Sequence, residues 1–271
     1  MNYRHAFHAG NFADLVKHAG LLRLLASGGA GPLTVIDTHA GRGLYDLAGV
    51  EARKSGEAEA GIARLMAAAD APAAFRPLIT QVKALNPSGE VRRYPGSPWL
   101  IAQALTAKDS YIGCELRPDE HAALRDLMKA RVNVTALCDD GYAVAAARTP
   151  PTGRALVLID PPFERADDYR QIVETLAAVR RRNAQARALV WLPLKDLETF
   201  DGFLRDLEDA VPPPLLIAET RMRPLADPMK MNGCALVLMG APDGLAADLE
   251  AICGWTVERL GERGAARIYA L

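Results

Sequence analysis

Seven short apolar runs alternate with amphipathic stretches along this chain, and that rhythm restricts the fold more than any other feature. The runs cover residues 32–37, 110–116, 132–138, 155–160, 188–192, 215–220 and 234–239. Helical patterns at 119–130, 167–182 and 197–210 lie between them, which is the signature of a doubly wound parallel α/β sheet. The last two runs are separated only by the Pro- and Met-containing stretch 222–233, too short for a crossover helix. The seventh strand is therefore expected to be antiparallel. About 70 residues separate the first two runs, and the excess, 44–94, reads as two or three Ala-rich amphipathic helices. This divides the chain into a sheet domain of 1–43 and 95–271 and an inserted helical subdomain of 44–94. The seven Lys and Arg of the insertion are balanced by six Asp and Glu, so its charge does not mark it as a nucleic-acid clamp.

With 271 residues, half of them hydrophobic, the chain can bury a large core. The four cysteines, Cys114, Cys138, Cys234 and Cys253, form no CxxC pair, which predicts reduced thiols and a cytoplasmic location. No apolar run approaches 18 residues and the N-terminus is polar and His-rich, so neither a membrane span nor a signal peptide is expected. A net charge of -1 requires that any surface for nucleic acid be local.

The chemistry-bearing residues fall at the ends of the runs, where an open α/β sheet binds its ligands. The first run enters Asp37-Thr38-His39-Ala40-Gly41-Arg42-Gly43. Its glycines permit close backbone approach to a ligand. The spacing resembles the DxxxGxG turn of class I methyltransferases more than the GxGxxG dinucleotide fingerprint, since no third glycine opens a helix. Glu115 ends the second run, where a carboxylate can accept from ribose hydroxyls, and Asp139-Asp140-Gly141 ends the third.

Asp160-Pro161-Pro162-Phe163 follows the fourth run. Two prolines make a rigid turn that aims a carboxylate, a carbonyl and an aromatic ring into the cleft. The exocyclic amine of adenine is a poor nucleophile because its lone pair is delocalised. Asp160 and the Pro161 carbonyl can accept hydrogen bonds from its two protons, Phe163 can stack on the base, and methyl transfer then depends mainly on proximity and orientation, with Asp160 as proton acceptor.

DPPF resembles the [DNS]PP[YFW] motif of amino-methyltransferases. Together with YRHAFHAGNFADLVKH, IDTHAGRGLYDL, YPGSP and LIDPPFE, it makes nearly the whole chain similar to the bacterial 23S rRNA (adenine-N6)-methyltransferase family. The resemblance implies a Rossmann-like class I methyltransferase sheet of seven strands with the last antiparallel and a small helical insertion. It implies S-adenosylmethionine as cofactor, released as S-adenosylhomocysteine, no metal, and action as a monomer on free or early-assembly 23S rRNA. By that resemblance His18, His39, Gly41, Ser97, Glu115, Asp140, Gly141 and Asp160 contact the cofactor. Tyr3, Arg4 and Lys17 are expected at the substrate RNA, and Asp160, Pro161 and Phe163 carry catalysis. The family's usual tyrosine is replaced here by Phe163, so stacking is retained and a hydroxyl is lost.

Other readings are set beside these. The motif equally suits guanine-N2 methylation of rRNA or adenine-N6 methylation of DNA, and a non-catalytic nucleic-acid-binding module is the more distant alternative. Ser97 before Pro98 reads as a helix N-cap. His5, His8 and His18 lack the clustered Cys or carboxylates of a metal site. Arg180, Arg181 and Arg182 read as a solvated helix end, and Trp99 and Trp191 as core. Residues 1–10 are expected to form a mobile tip closing over an extruded base, ahead of a helix begun near Asn11.

Overall fold

In the computed structural model, residues 5–225 and 231–271 are described. The expectations for Tyr3 and Arg4 lie outside them. A 3₁₀ turn at His5–Phe7 precedes helix α1 (Phe12–Ala26), which Asn11 caps by accepting from the Asp14 amide at 3.0 Å. Strand β1 (Leu33–Asp37) leads to β2 (Leu44–Asp46), α2 (Val50–Ser55), a π turn at Glu59–Ala63 continuous with α3 (Arg64–Ala67), α4 (Arg76–Leu85) and β3 (Arg93–Pro95). The chain continues through α5 (Ser97–Ala104), β4 (Ser110–Cys114), α6 (Pro118–Met128), β5 (Val134–Leu137), α7 (Gly141–Arg148) and β6 (Arg154–Ile159). It ends with α8 (Asp168–Arg182), β7 (Arg187–Leu194), α9 (Leu197–Ala210), β8 (Leu215–Arg221), β9 (Gly233–Met239), α10 (Leu245–Leu260) and β10 (Ala265–Ala270).

The sheet order is β5-β4-β1-β6-β7-β9-β8-β10. Strands β5, β4, β1, β6 and β7 are mutually parallel, and β9 runs antiparallel between β7 and β8. All seven expected strands are present and the seventh is antiparallel, but the sheet has eight. The additional strand, β10, lies antiparallel on the free edge of β8. Its residues are half-buried or exposed, so it lacks the continuous apolar run that marks the inner strands.

Alternation along the strands splits the core into two layers. Val35, Leu156 and Leu158 face one side with α1 and α10; Ile36, Val157 and Ile159 face the other with α7, α8 and α9. The stretch 44–94 adds Ile62, Leu65, Phe75, Leu78 and Val82 to the α1 side, sharing that layer. Its two ends pair as an antiparallel ribbon, β2 with β3, which the helical reading of this stretch did not include. Ile62 N donates to Gly10 O at 2.8 Å, and Gly61 abuts the backbone of Gly10 and Asn11 so closely that a Cβ would overlap it.

From His5 onward the N-terminal segment contacts α1 and the 44–94 stretch. His5 Nε2 lies 3.1 Å from Asp14 Oδ2, the Gly10 amide donates to the same oxygen at 2.9 Å, and His8 Nδ1 lies 2.9 Å from Glu57 Oε1. Asp14 and Glu57 supply the acceptors that hold it.

Candidate active site

Strand order reverses at β1, with β4 on one side and β6 on the other, and a crevice opens at the carboxyl ends of these strands. It holds a cavity of about 470 Å³. The turn after β1 forms one wall. Gly41 and Gly43 adopt φ of +61° and +81°, a region that side chains disfavour. The Gly41 amide donates to Glu115 Oε2 at 3.0 Å and the Arg117 amide to Oε1 at 2.8 Å. Burial raises the Glu115 carboxyl, and these two amides oppose that rise. Its oxygens are thereby fixed facing the cavity at the end of β4.

Asp140 caps α7, accepting from the Tyr142 amide at 2.9 Å, and lines the same cavity. Gly141 is not a lining residue. It packs against the Thr38 backbone, where a Cβ would overlap the carbonyl, and its role is to let α7 abut the β1 turn. His39 lines the cavity with Nδ1 2.7 Å from Thr38 Oγ1 and its ring edge-on to Tyr142 at 5.0 Å. Burial lowers its pKa to about 4, so the ring is neutral at pH 7.

Asp37 is fully buried beneath this wall. Ser97 Oγ and Tyr111 OH donate to its Oδ2 at 2.7 and 3.2 Å, and the His39 amide to Oδ1 at 3.4 Å. Burial pushes the Asp37 carboxyl up to about 6. Ser97 is thus not the helix cap. Gly96 occupies that position, and the Ser97 hydroxyl is turned to Asp37.

The opposite wall is the turn after β6. Pro161 is buried, Pro162 exposed, and Phe163 holds φ of +50°. The ring of Phe163 lies 4.9 Å from that of Tyr169 and 6.0 Å from that of Trp191. Trp191 is half-buried and lines the cavity, a correction to its reading as core. Asp160 Oδ2 receives Lys17 Nζ at 2.5 Å, while Asp160 Oδ1 bonds no described residue.

Lys17 is buried, and its ammonium also lies 2.9 Å from Asp14 Oδ1. It therefore lies inside the cavity beside Asp160. Burial alone would lower the Lys17 pKa, but Asp14 and Asp160 outweigh it and hold the value well above the usual one. Burial likewise opposes ionisation of Asp14, yet Lys17, His5 and His18 hold its carboxyl well below the usual range. His18 contacts the cavity from beneath, Nδ1 2.8 Å from Tyr94 OH, with its pKa pulled down to about 3 by burial. The sequence reading missed Asp14 as a site residue. Its (i, i+3) spacing from Lys17 on a helix was the available signal.

Among the described residues, no group of three His, Cys, Asp or Glu is placed to hold a metal, and no helix is long and apolar enough to cross a membrane. The direction-switching sheet, the acids ending β1 and β4, and the Asp-Pro-Pro-Phe turn after β6 define a Rossmann-like class I methyltransferase fold. The family model described as ribosomal RNA large subunit methyltransferase D, RlmJ, matches residues 30–270. The proteins named ribosomal RNA large subunit methyltransferase J from Haemophilus influenzae and Escherichia coli are 33% and 32% identical, each match covering 97% of this chain and 95% of the relative. A crystal structure of a Legionella pneumophila protein is 29% identical with a TM-score of 0.87, covering 97% of this chain and 98% of that one. The chain belongs to the ribosomal RNA large subunit methyltransferase J family.

Proposed function

We propose that this protein transfers a methyl group from S-adenosylmethionine to the exocyclic N6 amine of an adenine in 23S rRNA. The observation that carries the reading is the placement of Asp160, Pro161 and Phe163 on one wall of a cavity whose other wall carries Glu115, Asp140 and His39. The donor set fits the cofactor. Each Glu115 oxygen spends one acceptor site on an amide and keeps another for a ribose hydroxyl. Asp140 is positioned for the adenine amine, with Ser97, Gly41 and His18 near the methionine portion. When bound, the cofactor supplies an electrophilic sulfonium methyl.

The chain's own residues would do the rest. Asp160 Oδ1 and the Pro161 carbonyl accept hydrogen bonds from the target amine, directing its lone pair toward the methyl, and Asp160 takes the one proton released on transfer. Lys17 fixes the Asp160 carboxylate through Oδ2, and Phe163 and Trp191 form an aromatic wall for the extruded base. Tyr3 and Arg4 would meet the RNA. The stretch 44–94 would brace the segment leading into α1 through the contacts of Glu57 with His8 and of Ile62 with Gly10. Action as a monomer on free or early-assembly RNA in the cytoplasm completes the proposal.

The test is transfer of tritiated methyl from S-adenosylmethionine to unmodified 23S rRNA, 16S rRNA and genomic DNA, followed by nucleoside analysis. N6-methyladenosine from 23S rRNA alone is expected. N2-methylguanosine, methylated DNA, or cofactor binding without transfer would each replace this reading with a different one.

A further inference from the structure

The charge of this nearly neutral chain is unevenly distributed. Residues 104–109, 129–133, 148–154 and 180–187 lead into β4, β5, β6 and β7, and together hold nine Lys and Arg against one acid, Asp109. Those strands run parallel with β1 and with one another, so the four segments gather at the end of the sheet away from the catalytic cavity. Elsewhere eight arginines are ion-paired with described acids, among them Arg23–Asp248, Arg42–Glu120, Arg117–Asp119 and Arg170–Glu174. At this end none of the nine cations forms an ion pair with a described residue.

Helix termini account for part of the pattern, since Arg148 ends α7 and Arg180 to Arg182 end α8, where cations complement the helix dipole. They do not account for Arg154 and Arg187, the first residues of β6 and β7. The register pairs Leu156 with Arg187, which makes Arg154 a diagonal neighbour of Arg187 on the same sheet face. Arg154 donates to the Gly28 and Gly31 carbonyls at 2.9 and 3.1 Å, and Arg187 to Ser27 Oγ at 2.7 Å. Both are half-buried and line a cleft of about 400 Å³ with the glycine-rich loop before β1. Burial, and after it the neighbouring Arg154, pull the Arg187 pKa down. Asp109, the one acid of these segments, accepts from the Leu33 amide and from Thr106, and Arg154 helps to hold its carboxyl below the usual range without forming an ion pair with it.

We propose that this end of the sheet is a second RNA-contacting surface, where unpaired cations bind phosphates of the substrate outside the nucleotide held in the catalytic cavity. The proposal rests on the RNA-methylating reading above. Seven of the nine cations are Arg, whose planar guanidinium bonds phosphate in a fork and stacks on unpaired bases. Such contacts carry no sequence information but add affinity and salt dependence. Strands of about six residues span roughly 20 Å, so an RNA engaging both ends follows the flank of the molecule.

The test compares R148E/R181E, at two exposed positions, with R92E/R170E, which makes the same change in net charge elsewhere. Binding of transcribed 23S rRNA is measured over a KCl series, with S-adenosylhomocysteine affinity as the control for folding. R148E/R181E is expected to bind RNA about ten-fold more weakly at low salt and to lose about two from the log-log salt slope, with R92E/R170E unaffected. Equal weakening in both variants, or in neither, overturns the proposal. Methyl transfer by the wild-type protein is assayed on the same RNA. A local loss of binding without adenine methylation would leave the surface standing and remove the proposed reaction; methylation with undiminished binding by R148E/R181E would do the opposite.

Discussion

The Lys17 ammonium lies 2.5 Å from the Asp160 carboxylate, joining the first helix to the end of β6 across 143 positions of sequence. Lys17→Met keeps the volume but leaves two carboxylates without their shared cation. Stability should fall by about 3 kcal/mol, as for other broken buried pairs, and methyl transfer should be nearly abolished. Chemical denaturation with parallel activity assays checks this; a stable variant with normal turnover would show that the pair neither supports the fold nor orients Asp160.

Glu115→Ala removes both acceptors proposed for the ribose. Affinity for S-adenosylhomocysteine should drop by about 1.5–3 kcal/mol, the range for hydrogen bonds to charged groups. Calorimetric titration reads this directly, and unchanged affinity would place the ribose elsewhere.

Phe163→Ala should cost about 1–3 kcal/mol in RNA substrate affinity or rate if the ring stacks on the base. Phe163→Gly adds a stability readout, because relief of a left-handed φ returns about 1 kcal/mol relative to the Ala variant. Asp160→Asn, which can present a donor to the target amine, should reduce turnover far more than melting temperature. Normal kinetics in Phe163→Ala would reduce the ring to packing against Tyr169.

Asp37 makes stability depend on pH in a defined direction. Its folded-state pKa, about 6, exceeds the unfolded value near 3.8, so its stabilising contribution is present below pH 4 and lost as pH rises through 6. Asp37→Asn cannot ionise. The melting temperature of the variant minus that of the wild type should therefore increase from pH 4 to pH 7. A flat difference would mean that Asp37 titrates normally.

The inner strands and the Asp-Pro-Pro-Phe turn were legible because their signals are local: continuous apolar runs and a proline pair. Strand β10 was not, since Ala-Ala-Arg-Ile-Tyr-Ala forms an edge with only partial burial. Glu115 and Asp140 could be placed from their positions at strand ends. The partners of Ser97 and Lys17 could not, because Asp37 and Asp160 reach them only through tertiary packing. Gly141 is expected at the cofactor by resemblance alone; its tight fit against the backbone of Thr38 is a tertiary contact that no local signal announces.

Helix α1, which delivers Lys17 and His18 to the site, rests against α10: Arg23 bonds Asp248 at 2.7 Å, and Gly20 sits against Leu249 and Leu236. Helix α1 thus depends on a contact made 225 positions further along the chain. A nascent chain stalled before residue 245 could form β1 to β7 and still lack the support that holds Lys17 under Asp160. Catalytic competence would then arise only once α10 is in place, and proteolytic loss of residues 245–271 should silence the enzyme without touching any residue proposed to meet a ligand.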